Sequence, residues 1–293
     1  MKNLVDLLST TVILDGATGT ELNCRGCDTA LPLWSASALL EAPDLLREVH
    51  ESYVAAGSQI ITANTFRTHE RNLAAGGIHG QAAQLTKQAV DIAREAAQGK
   101  ALVAGSQAPL EDCYSPELVP NDATLVREHS KMAGHLLDAG VDMILIETQN
   151  TIREAQAAAI AAKDTGLPFL VSFVCDTNGT LLSAESLQHA VETILPLNPA
   201  AIMLNCSAAP NMTALIQKLS QHAENLPIGC YANIGLADPI QGWINTDAES
   251  PTRYAEYALA WLKAGATIIG GCCGTTPEHI QRLSRLIDAE NDN

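Results

Sequence analysis

Eight short, β-branched apolar runs recur along the chain, each followed by a longer stretch of helical period. They are TVILDG (11–16), SQIITAN (58–64), ALVAGS (101–106), VDMILIET (141–148), PFLVSFV (168–174), AAIMLNCS (200–207), PIGCYAN (227–233) and ATIIGGC (266–272). Runs this continuously apolar belong to strands buried on both faces, as parallel strands are. Between them lie Ala- and Leu-rich segments such as ASALLEAPDLLREVHESYVAAG and DATLVREHSKMAGHLLDAG. Four of these close on a glycine just ahead of the next strand, at Gly57, Gly140, Gly166 and Gly265, as αβ loops require. Eight βα units in 293 residues predict a single (β/α)8 barrel spanning 1–293. A doubly wound open sheet is the other arrangement that such alternation allows. The DGATGTEL stretch after the first strand, however, lacks the glycine spacing of a dinucleotide site.

Charge narrows the partners. With 17 Lys and Arg against 33 Asp and Glu, the net charge of −16 disfavours nucleic acid or an anionic membrane surface. No run of about 18 apolar residues occurs, and Asp6 and Asp15 interrupt what would be a signal peptide. A cytoplasmic protein acting on small molecules is expected, and oligomeric state is left open. In that compartment the eight cysteines are expected to be reduced thiols, so any special one binds metal or takes part in catalysis.

The C-terminal ends of barrel strands carry the active site. Those ends hold Asp15, Asn64, Ser106 with Gln107, Glu147, Asp176, Cys206, Asn233, and Cys272 with Cys273. Adjacent cysteines are poor disulfide partners, and in a regular strand they point to opposite faces. Gly270, Gly271 and Gly274 free that segment from strand geometry, so both sulfurs can turn towards one centre with Cys206. Three thiolates and an open position describe a catalytic zinc site; the competing reading is three small buried hydrophobes. The GATGT backbone around Gly16 and Ala17 suits a substrate carboxylate. Asn233 is placed to orient the site near the metal. Asp15 is either a ligand-binding carboxylate or a turn cap, and Glu147 either the same or half of an ion pair at the mouth.

ILDGATGTEL, RGCD, LWSASALLEAPDLLREVHESYVAAG, ITANTF, IET, LNCS, YAN and GGCCGTTPEHI, in that order, resemble the homocysteine S-methyltransferase family. The LWSASALLEAPDLLREVH stretch is most similar to the branch using S-methylmethionine. The resemblance implies a zinc-dependent barrel with ligands at Cys206, Cys272 and Cys273, and it gives Asp15 and Glu147 the ammonium group of homocysteine. The implied chemistry is methyl transfer from a sulfonium donor, S-methylmethionine or S-adenosylmethionine favoured, to a zinc-activated homocysteine thiolate. Methionine is the product, and no separate protein base is expected.

Two stretches depart from that branch. Arg67 in ANTFRT is a rare cation near the mouth, and the NTF resembles the homocysteine-binding modules of cobalamin-dependent methionine synthases. GSQAPL (105–110) also differs from the expected GS-x-GP. Asn64 and Arg67 are therefore the candidates for the donor side. The alternative function is a homocysteine- and zinc-binding module that works with a corrinoid partner. The chain ends at Asn293, after the last barrel helix, without a cobalamin or folate domain, so a free-standing catalyst is the simpler expectation. None of the seven lysines ends a strand, which argues against a Schiff-base aldolase. The lone CRGC pair, Cys24 and Cys27, lacks a second half, and Cys113, Cys175 and Cys230 are expected in the core. Among the histidines only His69, just after the second strand, merits attention.

Overall fold

The computed structural model describes residues 4–238 and 242–291. All eight predicted strands are present: β1 Val12–Ile13, β2 Ile60–Ala63, β3 Leu102–Gln107, β4 Met143–Gln149, β5 Phe169–Phe173, β6 Ala201–Ala208, β7 Ile228–Asn233 and β8 Ile268–Gly271. They pair in parallel in sequence order, and β8 returns to β1. A parallel bridge between Leu14 and Ile60 joins β1 to β2 and closes the sheet, which gives a (β/α)8 barrel. The open doubly wound alternative is thereby excluded.

The two-residue period of a strand sorts side chains between the barrel interior and the helical shell. Val12, Leu14, Ile60, Ala104, Met143, Leu145, Leu170, Met203, Tyr231 and Ile268 fill the interior. Their neighbours Ile13, Ile61, Val103, Ile144, Ile146, Val171, Ile202, Cys230 and Ile269 pack outward against the helices. Leu4 and Leu7 of the helix Leu4–Leu7 belong to the interior cluster. Continuing the same period upward brings Thr62, Ser106, Glu147, Ser172 and Tyr231 to the C-terminal end of the interior. Polar residues therefore replace aliphatic ones just where the strands end.

Gly57, Gly140, Gly166 and Gly265 all have left-handed φ, from 76° to 108°. Gly57 and Gly140 are the residues that close the helices Pro43–Ala56 and Asp122–Ala139. A short antiparallel hairpin, Gly235–Asp238 with Gly242–Asn245, interrupts the pattern between β7 and the helix Pro251–Lys263.

Candidate functional site

The segment after β8 is built to point two adjacent side chains at one place. The Gly271 amide donates to the Asp15 carbonyl at 3.0 Å and the Cys272 amide to the Ala232 carbonyl at 2.8 Å. Cys272 to Thr275 then form a turn, the Thr275 amide donating to the Cys272 carbonyl at 3.0 Å. Gly274, third in that turn, has φ 82°, a value that favours glycine. The turn is tied to the β1 loop as well, since the Ala17 amide donates to Thr275 Oγ1 and the Gly274 amide to Thr20 Oγ1. A side chain at Gly271 would collide with Thr275, so the glycine is needed for close approach.

Cys206 arrives by a different device. The β6–β7 register shifts between Asn205 and Ala208, and Cys206 takes a φ of 56°. A non-glycine residue there costs about 1–2 kcal/mol, and such strain persists only where the surroundings impose it. Asn205 imposes it from one side: its carboxamide accepts from the Thr148 amide and donates to Thr148 Oγ1. Asn233 imposes it from the other, donating to the Cys206 carbonyl at 2.8 Å and accepting from the Cys273 amide at 3.0 Å. One carboxamide thus fixes the backbones of two cysteines from different strands.

The Sγ atoms of Cys206, Cys272 and Cys273 lie within 4.8 Å of one another, and Cys206 and Cys272 are 3.0 Å apart. Hydrogen bonds from Cys206 and Cys272 hold the Cys273 thiol well below its ordinary pKa. Cys272 is pushed well above, by Cys206, Cys273 and burial. Three thiolates this close repel one another, so full ionisation needs a cation among them. The donor set, three soft sulfurs at mutual contact, fits a thiophilic dication such as zinc.

These sulfurs open onto a cavity of about 500 Å3, a size typical of small-molecule sites. Asp15, Gly16, Ala17, Asn64, Arg67, Ser106 and Glu147 line the same cavity. Asp15 accepts from the Thr62 amide at 2.7 Å and from Thr62 Oγ1 at 3.0 Å, so its side chain turns towards β2. Ala17, with no side-chain cap bond, precedes the helix Thr18–Cys24. Glu147 is held by the Ser106 hydroxyl and by Tyr231 at 3.3 Å, with no cationic partner among the described residues. Burial raises both carboxyls to a pKa of about 7, against the hydrogen bonds that they accept. Two buried carboxyls with raised pKa values and no cation paired with either describe a pocket suited to an ammonium group.

Other strand-end residues stand apart. Asn64 lines the wall with its carboxamide engaged at both ends by Ser35. Gln107 turns to His129, and Asp176 closes a turn with Asn178 and Thr180 outside the cavity. The His69 ring is buried with neither nitrogen hydrogen-bonded, and burial lowers its pKa to about 3. Cys24 is exposed, and neither it nor Cys27 joins the sulfur cluster. Cys113, expected in the core, is buried but forms part of the cavity wall. The sequence reading missed Trp34, Phe66, Tyr114 and Trp243, which line the cavity from three loops and the hairpin, and Thr148, which receives Asn205. Of these, only Thr148 carried a sequence signal, as the continuation of the Glu147 strand.

Comparison with known proteins follows the same lines. The family model described as homocysteine S-methyltransferase matches residues 12–287. The homocysteine S-methyltransferase of Escherichia coli is 33% identical, with 93% of this chain and 94% of that protein covered. The methionine synthase of Mycobacterium leprae is 30% identical over 99% of this chain, which spans 25% of that protein. Among solved structures, the metallated form of the homocysteine methyltransferase MmuM from Escherichia coli superposes with a TM-score of 0.83 at 31% identity, over 94% of this chain and 96% of that one.

Proposed function

The chain belongs to the homocysteine S-methyltransferase family and is an enzyme of that class, and from that premise we propose a zinc-dependent transfer of a methyl group from a sulfonium donor to homocysteine. S-methylmethionine and S-adenosylmethionine are the favoured donors, and methionine is the product. The observation that carries the reading is the convergence of three sulfurs, within 4.8 Å of one another, on a cavity that also contains two buried carboxyls with no cationic partner among the described residues.

Cys206, Cys272 and Cys273 would hold the zinc. When bound, the ion would supply the ionisation of the substrate thiol. Asn233 and Asn205 hold the cysteine backbones so that the three sulfurs keep one geometry. Asp15 and Glu147 take the homocysteine ammonium group, and its arrival favours their ionised forms. The turn at Gly16 and Ala17 forms the wall against the substrate carboxylate; the Ala17 amide itself is spent on Thr275. Neither histidine nor lysine lines the cavity among the described residues, and its two buried carboxyls, Asp15 and Glu147, are assigned to the ammonium group. With the thiolate formed, the residues' remaining contribution is alignment of the two sulfurs about the methyl group.

The match to methionine synthases favours a second reading, a homocysteine-activating barrel that receives its methyl group from a corrinoid partner. One experiment separates the two: zinc-loaded protein and homocysteine are offered S-methylmethionine, S-adenosylmethionine, a betaine, or a methylated corrinoid protein. Methionine formation with a soluble sulfonium alone supports the first reading. Formation only with the corrinoid replaces it with the second.

The brace between the cysteines is separately testable. Asn233→Ala removes both backbone contacts and touches no sulfur. Its zinc affinity, measured by chelator competition, is expected to fall about 10- to 100-fold, as for outer-shell metal partners generally. An unchanged affinity would show that the cysteines hold their geometry without it.

A further inference from the structure

The proposed chemistry leaves the cation of the cavity's described lining unused. Arg67 is the cation of the described lining, and no carboxylate of the described residues pairs with it. Its neighbour Arg71, by contrast, is bonded to Glu111 and Glu128.

Arg67 is nonetheless held in place. The guanidinium lies 5.4 Å from the centre of the Phe66 ring, and Phe66 meets Trp34 edge-on at 5.5 Å. Nη1 donates to Asn72 Oδ1 at 3.3 Å, and the Asn72 amide donates back to the Arg67 carbonyl at 3.1 Å. Nε is buried and has no partner. A buried donor left unpaired is costly, and beside a cavity it is available to an acceptor on a bound molecule. The planar fork of a guanidinium matches a carboxylate, which it binds through two parallel N–H donors. Arg67 sits beyond the end of β2 on the aromatic outer wall, whereas Glu147, Tyr231 and the cysteines come from the strand ends that form the floor. A carboxylate on Arg67 therefore belongs to the molecule bound outside homocysteine.

We infer that Arg67 receives the carboxylate of the methyl donor and restricts the enzyme to sulfonium compounds that carry one. The inference rests on the sulfonium reading above. It favours amino-acid donors over simple trialkylsulfonium ions of the same reactivity.

The test pairs two donors with two proteins: S-methylmethionine and its carboxamide, against wild type and Arg67→Ala, with Arg67→Lys as a variant that keeps the charge but not the fork. Wild type is expected to prefer the carboxylate donor by at least about tenfold in kcat/KM, in the range of a lost charged hydrogen bond. Arg67→Ala is expected to lose that preference, Arg67→Lys to keep part of it, and the KM for homocysteine to stay unchanged in both. Equal discrimination by wild type and Arg67→Ala, or a rise in the homocysteine KM in place of the donor KM, overturns the assignment. If wild type transfers no methyl group from any sulfonium, the underlying reaction is wrong. Calorimetric binding of the same two ligands to the same proteins then still reads the carboxylate contact, and equal affinities of wild type for acid and amide overturn it.

Discussion

Cys273→Ser is expected to reduce bound zinc from about one ion per chain to a small fraction of that, and methyl transfer by more than about a hundredfold. The reason is charge as much as contact. Serine is isosteric enough to keep the Cys273 amide bonded to Asn233 Oδ1, so the turn between Cys272 and Thr275 is retained. Its hydroxyl does not ionise near neutrality, however, and a site of two thiolates holds the dication far less tightly than one of three. Far-ultraviolet circular dichroism should therefore match wild type while metal analysis and methionine formation do not. Cys24→Ser, an exposed position outside the cluster, provides the matched control and should leave both unchanged. Full methyl transfer by Cys273→Ser after exhaustive chelation would remove the metal from the mechanism.

That the three sulfurs converge was readable because the features that bring them together are local. Cys206, Cys272 and Cys273 sit at the ends of apolar runs whose boundaries are marked by period and by glycine, and the barrel topology then brings those ends together. The loop glycines Gly57, Gly140, Gly166 and Gly265 were readable for the same reason: a positive φ leaves its mark on one residue. The left-handed turn at Cys206 was not, since nothing in LNCS requires it. It follows from the shifted β6–β7 register and from Asn205 bonding to Thr148, fifty-seven residues away. The aromatic wall escaped for a related reason. Trp34, Phe66, Tyr114 and Trp243 come from separate loops and the hairpin, and their meeting depends on how those loops fold over the barrel end. Asn64 and Asn233 show a subtler limit. Both stand at the end of a strand, yet both spend their carboxamides on the protein, so position identified the residue and not its task.

Glu147→Gln should make the protein more stable and a worse enzyme, and pH separates the two effects. Burial raises the Glu147 pKa from 4.5 to about 7, so the folded protein keeps a proton that the unfolded chain has released. Stability consequently falls as pH rises from about 4.5 to about 7, and the penalty is complete above that. A shift of that size bounds the cost at about 3 kcal/mol, and Gln removes it without changing the side-chain shape. Thermal unfolding of the metal-free protein at pH 8 should therefore give Glu147→Gln a Tm several degrees higher, a difference that closes towards pH 4. Catalysis moves the other way. The carboxylate that destabilises the empty pocket is the one that meets the homocysteine ammonium, and losing one partner of a buried charge pair costs about 2–5 kcal/mol. The KM for homocysteine should rise at least about thirtyfold with a smaller change in kcat. In wild type that KM should fall between pH 6 and 8 as the carboxyl ionises, beyond any dependence due to the substrate thiol, which the variant retains. Asp15, raised to about 7 by the same burial, contributes a second carboxyl in that window, so Asp15→Asn with Glu147→Gln should flatten the remaining pH response further. A Glu147→Gln protein with unaltered homocysteine KM would leave its buried carboxyl without a substrate role. The stability gain alone would then describe an unpaired acid tolerated for some other reason, and the ammonium site would have to be sought at Asp15.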